Sequence, residues 1–196
     1  MARKLDIGDK KKKPAKRKKA MKVPELEVGR LHIFTDGSCY PNPGPGGWGC
    51  MLIWPQDGMA YEQFPTMENY GGSPNQTNNT MELTAIKEGL LLRKRQVPTT
   101  VYSDSKLCIN SLTRWWQGWE RNGWITAAGD PVKNQELIKE ILDILKTCTG
   151  VRFQWVKGHA GIYYNERVDT LANQGRKEYG NRQAVKTRKT EIEAGT

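Results

Sequence analysis

Leu31-His32-Ile33-Phe34-Thr35-Asp36-Gly37-Ser38-Cys39-Tyr40-Pro41-Asn42-Pro43-Gly44-Pro45-Gly46-Gly47-Trp48-Gly49-Cys50-Met51-Leu52-Ile53-Trp54 sets two apolar runs around a proline- and glycine-rich turn. Leu31 to Thr35 reads as a strand, Tyr40 to Gly47 as the turn, and Trp48 to Trp54 as a second strand. Met59 to Met67 is a plausible third strand, and the short links predict an antiparallel meander. Downstream the period changes. Leu83, Ile86 and Leu90 lay an apolar stripe on a helix over Met81 to Arg95. Val101 to Ser103 is a short fourth strand, followed by helices over Ser105 to Trp119 and Asn134 to Thr147. Val151 to Val156 is a fifth strand, and Asn165, a good N-cap residue, opens a last helix to Tyr179. The order βββ-α-β-α-α-β-α predicts an α/β fold: one five-stranded mixed sheet flanked by helices, three antiparallel strands joined by parallel ones through helical crossovers.

Four acids fall at places where such sheets build sites. Asp36 and Asp104 lie at or near strand ends, and Glu82 and Asp169 in first helical turns. If they converge, they form an oxygen-only cluster of high negative charge, which calls for hard divalent cations. Two ions held in this way can carry phosphodiester hydrolysis. Singly each acid has an ordinary reading: turn former before glycine, helix-dipole partner or helix-start signal. His159 stands in Lys157-Gly158-His159-Ala160-Gly161, an exposed, glycine-flanked loop that suits a proton shuttle, against the plain alternative of a solvent-exposed histidine. His32 lies inside a strand and reads as structural. Pro43-Gly44-Pro45-Gly46-Gly47 lacks the Gly-Lys-Ser/Thr ending of a nucleotide-binding loop.

The charge is uneven. Of the net +10, residues 1–22 carry +9, from 11 Lys/Arg against Asp6 and Asp9, and the other 174 residues carry +1. The run Lys10, Lys11, Lys12, Lys13, Lys16, Arg17, Lys18, Lys19 around Pro14 repels itself and offers little to bury. Residues 1–28 are therefore expected as a disordered basic tail, 29–180 as one catalytic domain and 181–196 as a flexible polar tail. The tail reads as a nonspecific arm for nucleic-acid phosphates, with a solubilising leader or a nuclear-type address as the alternatives. No apolar run approaches the roughly 20 residues of a membrane span, and no hydrophobic segment follows the basic N-terminus as in a secretory signal. Cys39, Cys50, Cys108 and Cys148 are widely spaced and read as reduced thiols, not a zinc set. A cytoplasmic place follows, or a nuclear or organellar one in a eukaryote, and nothing requires more than a monomer.

The motifs Phe34-Thr35-Asp36-Gly37-Ser38-Cys39 with Asn42-Pro43-Gly44-Pro45-Gly46-Gly47, Thr77-Asn78-Asn79 before Met81-Glu82-Leu83, Asp104-Ser105, Gly123-Trp124 before Pro131-Val132-Lys133-Asn134, and Val156-Lys157-Gly158-His159-Ala160-Gly161 before Asn165-Glu166-Arg167 and Asp169 occur in this order. Together they resemble ribonuclease H of type 1, the bacterial ribonuclease HI-like group, over about residues 30–180. The resemblance implies a ribonuclease H-like fold and endonucleolytic cleavage of the RNA strand of RNA–DNA hybrids, leaving 5′-phosphate and 3′-hydroxyl ends. It implies Asp36, Glu82, Asp104 and Asp169 as ligands of two Mg²⁺ ions, with Mn²⁺ as a possible substitute, and His159 as an aid to leaving-group protonation or product release. It implies Asn42, Asn78 and Asn79 at the hybrid's minor groove, where a 2′-hydroxyl marks the RNA strand. Thr77 and Asn134 match a pocket for a DNA-strand phosphate, in which Asn75 stands where the family often has arginine. Arg114 to Trp124 matches the family's basic handle, from which Trp116, Trp119 and Arg121 are the expected substrate contacts; Glu120 and Asp130 dilute its charge, and Lys106 stands where glutamine is common. Two other readings are open: a catalytically silent hybrid- or double-strand-RNA-binding protein, and the nuclease fragment of a reverse transcriptase.

Overall fold

The computed structural model describes residues 21–93 and 96–193, with side chains described to residue 179. Strands β1 (Leu31–Cys39), β2 (Gly44–Ile53), β3 (Thr66–Gln76), β4 (Thr99–Ser103) and β5 (Val151–Trp155) form one sheet in the order β3-β2-β1-β4-β5. β1 pairs antiparallel with β2, β2 antiparallel with β3, and β1–β4 and β4–β5 are parallel. The helices are α1 (Asn78–Leu91), α2 (Lys106–Asn110), α3 (Trp116–Arg121), α4 (Gln135–Lys146) and α5 (Tyr163–Glu193). The mixed sheet and the element order are as the sequence predicts.

Alternation along β1 divides the core. Leu31 and Ile33 face one buried cluster, with Leu83, Ile86 and Leu90 of α1, and Ile138, Ile141 and Leu142 of α4. Phe34 faces the other, with Met51, Ile53, Tyr102, and Tyr164, Val168 and Leu171 of α5. His32 is buried on that second face, its Nδ1 2.9 Å from the Tyr102 hydroxyl and its Nε2 3.0 Å from the Glu27 carbonyl. The carbonyl can only accept, so Nε2 carries the proton and Nδ1 accepts from tyrosine. Burial pushes the His32 pKa down, which fits the structural role expected of it.

Several boundaries move. The first strand continues through Asp36 to Cys39, and the second begins inside the expected turn, at Gly44. Pro45 is accommodated where the β2–β3 register shifts between Gly44 and Gly46, since a bulge dispenses with a ladder donor. The third strand is Thr66–Gln76, not 59–67; residues Tyr61–Gln63 form a single 3₁₀ turn. The strand runs through Gly71, Gly72 and Pro74, and the glycines are there for contact. A Cβ at Gly71 would press on the Trp48 ring, and one at Gly72 would fall 2.7 Å from the Gly175 carbonyl of α5. The helix expected over 81–95 is Asn78–Leu91, with Thr77 as N-cap; Arg95, its expected end, lies outside the described residues. The helix expected over 105–119 is α2 and α3 joined by a π-helical turn at Ser111–Trp115. α5 starts two residues before Asn165, so Asn165 is a buried helical residue and not the cap. Residues 181–193, expected as a flexible tail, continue α5, and 194–196 lie outside the described residues.

The expected tail of residues 1–28 also needs correction. Residues 1–20, with the Lys10–Lys19 run, lie outside the described residues, but 21–28 belong to the folded body. Leu26 is buried and Val23 packs against the Phe34–Tyr164 cluster. Glu27 pairs with Arg30 at 3.1 Å and Arg152 at 2.8 Å. The basic residues hide two apolar side chains, Val23 and Leu26, that find their partners only across the fold, while Val28 stays exposed. No helix among the described residues is long and apolar enough to cross a membrane. All four cysteines are unpaired; burial pushes the Cys50 and Cys108 thiols up to about 12.

Candidate active site

Asp36 continues the His32–Phe34 face of β1, toward α5, while Gly37 continues the Leu31–Ile33 face, toward α1. The parallel β1–β4 ladder ends at Phe34–Tyr102, so beyond it Asp36 is free of a β4 neighbour on that edge. Asp104 follows β4 directly. A side chain at Gly37 would collide with the main chain of Met81 and Glu82, so the missing Cβ lets α1 sit against β1. Glu82 is thereby delivered from the second turn of α1, and Asp169 from the second turn of α5, one turn later than expected in each helix. Gly158 plays the same part for Asp104, whose Oδ2 occupies the space a Cβ would need.

One carboxylate oxygen each from Asp36, Glu82 and Asp104 lie within 4.8 Å of one another. Asp169 and His159 line the same polar cleft of about 420 Å³, together with Ser38, Asn78 and Asn173. Asp36 and Glu82 are buried, Asp104 and Asp169 half-buried, and His159 exposed. Burial, then the charges of Asp104 and Asp169, raise the Asp36 carboxyl to about 8. Burial, then Asp36 and Asp104, raise Glu82 well above its usual range. Asp104 is raised chiefly by burial, against an opposing pull from His159.

The residues fit divalent metal. Glu82 Oε2 is fully buried with no hydrogen-bond partner, an expensive arrangement for a carboxylate unless a cation completes it. The donors are all hard oxygens, as Mg²⁺-type ions require.

Three supporting residues were missed by sequence reasoning. Asn173 Nδ2 donates to Asp169 Oδ1 at 3.1 Å; Ser38 Oγ donates to Asn173 Oδ1 at 2.8 Å; and Arg176 Nε donates to Ser38 Oγ at 3.1 Å. Asn173 and Arg176 follow Asp169 at i+4 and i+7, a helical spacing visible in the sequence once a helix is assumed. The β1–α5 contact through Ser38 is tertiary and left no such sign.

The expected substrate residues divide between two grooves. Asn78 lines the acidic cleft, and its backbone N–H donates to Asn42 Oδ1 at 3.2 Å. Asn79, Asn134 and Trp119 line a neighbouring, more apolar groove. Thr77 caps α1, accepting from the Thr80 N–H, and Thr80 Oγ1 donates to Asn134 Oδ1 at 3.0 Å, so Thr80 links the two expected pocket residues. Arg121 and Trp119 of α3 share one outer face with Arg114 and Trp115 of the π-helical turn before it. Trp116 is on the other side, against Lys139, Leu142 and Asp143 of α4, and packs on the core. The exposed handle tryptophan is Trp115, stacked at a tilt on Trp119 with ring centroids 5.8 Å apart.

Known proteins resemble this chain in sequence and fold. The family model for RNase H matches residues 29–177. A curated relative, ribonuclease H of Gluconobacter oxydans, is 47% identical over 152 residues, which is 78% of this chain and 95% of that protein. Among solved structures, LC9-RNase H1, a type 1 RNase H with the type 2 active-site motif, superposes with a TM-score of 0.68 at 24% identity, covering 80% of this chain and 76% of the other. LC11-RNase H1, solved in complex with an RNA/DNA hybrid, gives 0.54 at 20% identity, covering 76% and 97%. The two structures establish the fold. The family match over residues 29–177 and the 47% identity to the curated relative go further: they place this chain in the ribonuclease H family.

Proposed function

We propose that this cleft performs the family's reaction, endonucleolytic hydrolysis of the RNA strand of an RNA–DNA hybrid, with Asp36, Glu82, Asp104 and Asp169 holding two Mg²⁺ ions, or Mn²⁺ in their place. The observation that carries the reading is the close set of three carboxylates with its unpartnered, buried Glu82 oxygen. Bound divalent ions supply an activated water and offset charge on the leaving oxygen. Asn173 holds the Asp169 carboxylate by its Oδ1. His159, exposed at the cleft rim, gives a proton to the leaving 3′ oxygen. Water oxygen bonds to phosphorus, the P–O3′ bond breaks, and the products carry a 5′-phosphate and a 3′-hydroxyl.

Asn78 lines the cleft and Asn79 the neighbouring groove, and Asn42 is hydrogen-bonded to Asn78, which suits the three to read 2′-hydroxyls in a minor groove. The Thr77–Thr80–Asn134 chain and the Trp115–Trp119–Arg121 face offer hydroxyl, amide, aromatic and guanidinium groups to the DNA strand. Trp116 is assigned to packing. The Lys10–Lys19 run adds sequence-independent attraction to phosphates. The four free thiols are consistent with a reducing compartment, which we take as the cytoplasm, and the proposed reaction calls for no second copy of the chain.

The test is incubation with end-labelled RNA–DNA hybrid, double-stranded RNA and double-stranded DNA, with Mg²⁺, with Mn²⁺ and with chelator. Metal-dependent release of 5′-phosphorylated RNA from the hybrid alone is expected. Binding of hybrid in metal without any release would replace the enzyme by a binding protein.

A further inference from the structure

His159 holds a backbone conformation that L side chains rarely adopt, with φ at +50°, in a loop that also turns at Gly161 with φ at +74°. Such a conformation persists only where neighbours over-determine it. Upstream, the Val156 N–H donates to the Ser103 carbonyl at 3.1 Å, and Gly158 sits against Asp104. Downstream, the ties come from a distant part of the chain. The Lys22 N–H donates to the Gly161 carbonyl at 2.6 Å, and the Lys22 carbonyl accepts from the Tyr163 N–H at 2.9 Å, so Lys22 bridges Ile162 in parallel. Glu166 adds two ties on this side: its carboxylate accepts from the Gly161 N–H at 3.1 Å, and its N–H donates to the Ile162 carbonyl at 2.9 Å.

The strap that supplies these bonds is anchored along its length. Val23 and Ile162 pack on the same buried cluster, Leu26 is buried in it, and Glu27 pairs with Arg30 and Arg152. The RNase H family match begins at residue 29, so residues 21–28 lie just outside the matched range. Lys22 makes both of its main-chain bonds at the loop exit, to Gly161 and Tyr163, while Val23, Leu26 and Glu27 fasten the segment to the body.

We propose that residues 21–28 form a positioning strap for His159, with the main chain of Lys22 setting the loop from which the imidazole works. This rests on the assignment of His159 to proton transfer. The strap touches the stem of the loop and none of the carboxylates, so it acts on turnover and leaves hybrid binding alone.

The experiment compares full-length Lys22→Pro, which removes the N–H that bonds Gly161, with full-length Lys22→Ala, which keeps it. Both are measured with and without His159→Ala, on RNA–DNA hybrid with Mg²⁺. Relative to Lys22→Ala, Lys22→Pro is expected to lower kcat roughly 3- to 10-fold, as small misplacements of a reacting group do, with KM unchanged. In the His159→Ala background the two are expected to turn over equally, because coupled residues are non-additive. Equal kcat without His159→Ala, or the same loss with and without it, would overturn the proposal. Val23→Ala, which thins the apolar anchor and spares both bonds, gives the same pattern at smaller size should Lys22→Pro not fold. Amide hydrogen exchange at residues 158–163 separates the two assignments. Faster exchange in Lys22→Pro with no effect of His159→Ala on kcat would remove the catalytic role of His159 while leaving the strap; unchanged exchange would remove the strap itself.

Discussion

Asp36 shows how one residue carries both the chemistry and its cost. Its carboxyl holds a proton up to about 8 against an ordinary value of 3.8. Between those limits the folded protein binds a proton that the unfolded chain has released, so stability of the metal-free protein falls as pH rises through the window, and the loss is complete above it. Asp36→Asn removes the charge. In chelator it is expected to stabilise the fold by on the order of 1–3 kcal/mol at pH 8, with the gain vanishing near pH 4, while abolishing cleavage. Thermal melts at the two pH values check the sign. The same proton must leave when metal binds, so apparent metal affinity is expected to rise with pH below about 8, and calorimetry in buffers of different ionisation heat should show proton release. Asn173 acts one step removed. Asn173→Ala frees the Asp169 carboxylate of its amide and is expected to weaken metal binding roughly 10- to 100-fold, as loss of a supporting hydrogen bond does, with little change in melting temperature. A metal titration in which Asn173→Ala matches the parent would disprove the relay.

At the level of elements, the site exists because helices approach strands at glycines. Gly37 lets α1 reach β1, and Gly47 and Gly49 let α5 reach β2; a Cβ at Gly47 would overlap the main chain of Ala172 and Arg176. Backbone cannot rotate aside as a flexible side chain can, so α5 would have to move, carrying Asp169 and Asn173 with it. Gly47→Ala is therefore expected to cost about 1–3 kcal/mol by overpacking and to weaken metal binding as well. Denaturant melts and metal titration on the same variant measure both. A loss of stability with unaltered metal affinity would show that the cleft is not tied to the seating of α5. The helix between β4 and α4 shows a second device. The π-helical turn at Ser111–Trp115 shifts the side-chain phase between α2 and α3, so Trp115 is exposed while Trp116 packs toward α4. A straight 3.6-residue helix does not reveal which of two adjacent tryptophans faces solvent.

For the whole molecule, residues 1–22 carry nearly all of the net charge, and the proposed function gives that arm the long-range attraction to phosphates. Because residues 21–28 are part of the folded body, an arm deletion must stop at residue 20. Removing 1–20 is expected to weaken hybrid binding and to flatten its salt dependence by about 0.9 in log–log slope for each phosphate that the arm no longer neutralises, leaving kcat at saturating substrate unchanged. Identical slopes for the two chains would dismiss the arm as a nucleic-acid contact. Element order, sheet type and the four acids were legible in the amino-acid sequence, because apolar period and turn residues are local and the acids lie in short motifs. Convergence was not local. That Glu82 and Asp169 come from second helical turns, that β3 runs through Gly71 and Pro74, that Ser38 and Asn173 meet, and that Val23 and Leu26 leave the tail for the core were decided by packing between residues far apart in the chain. A glycine or a lysine-rich stretch carries no mark of the partner that will press against it, and that partner is supplied only when sheet and helices close on one another.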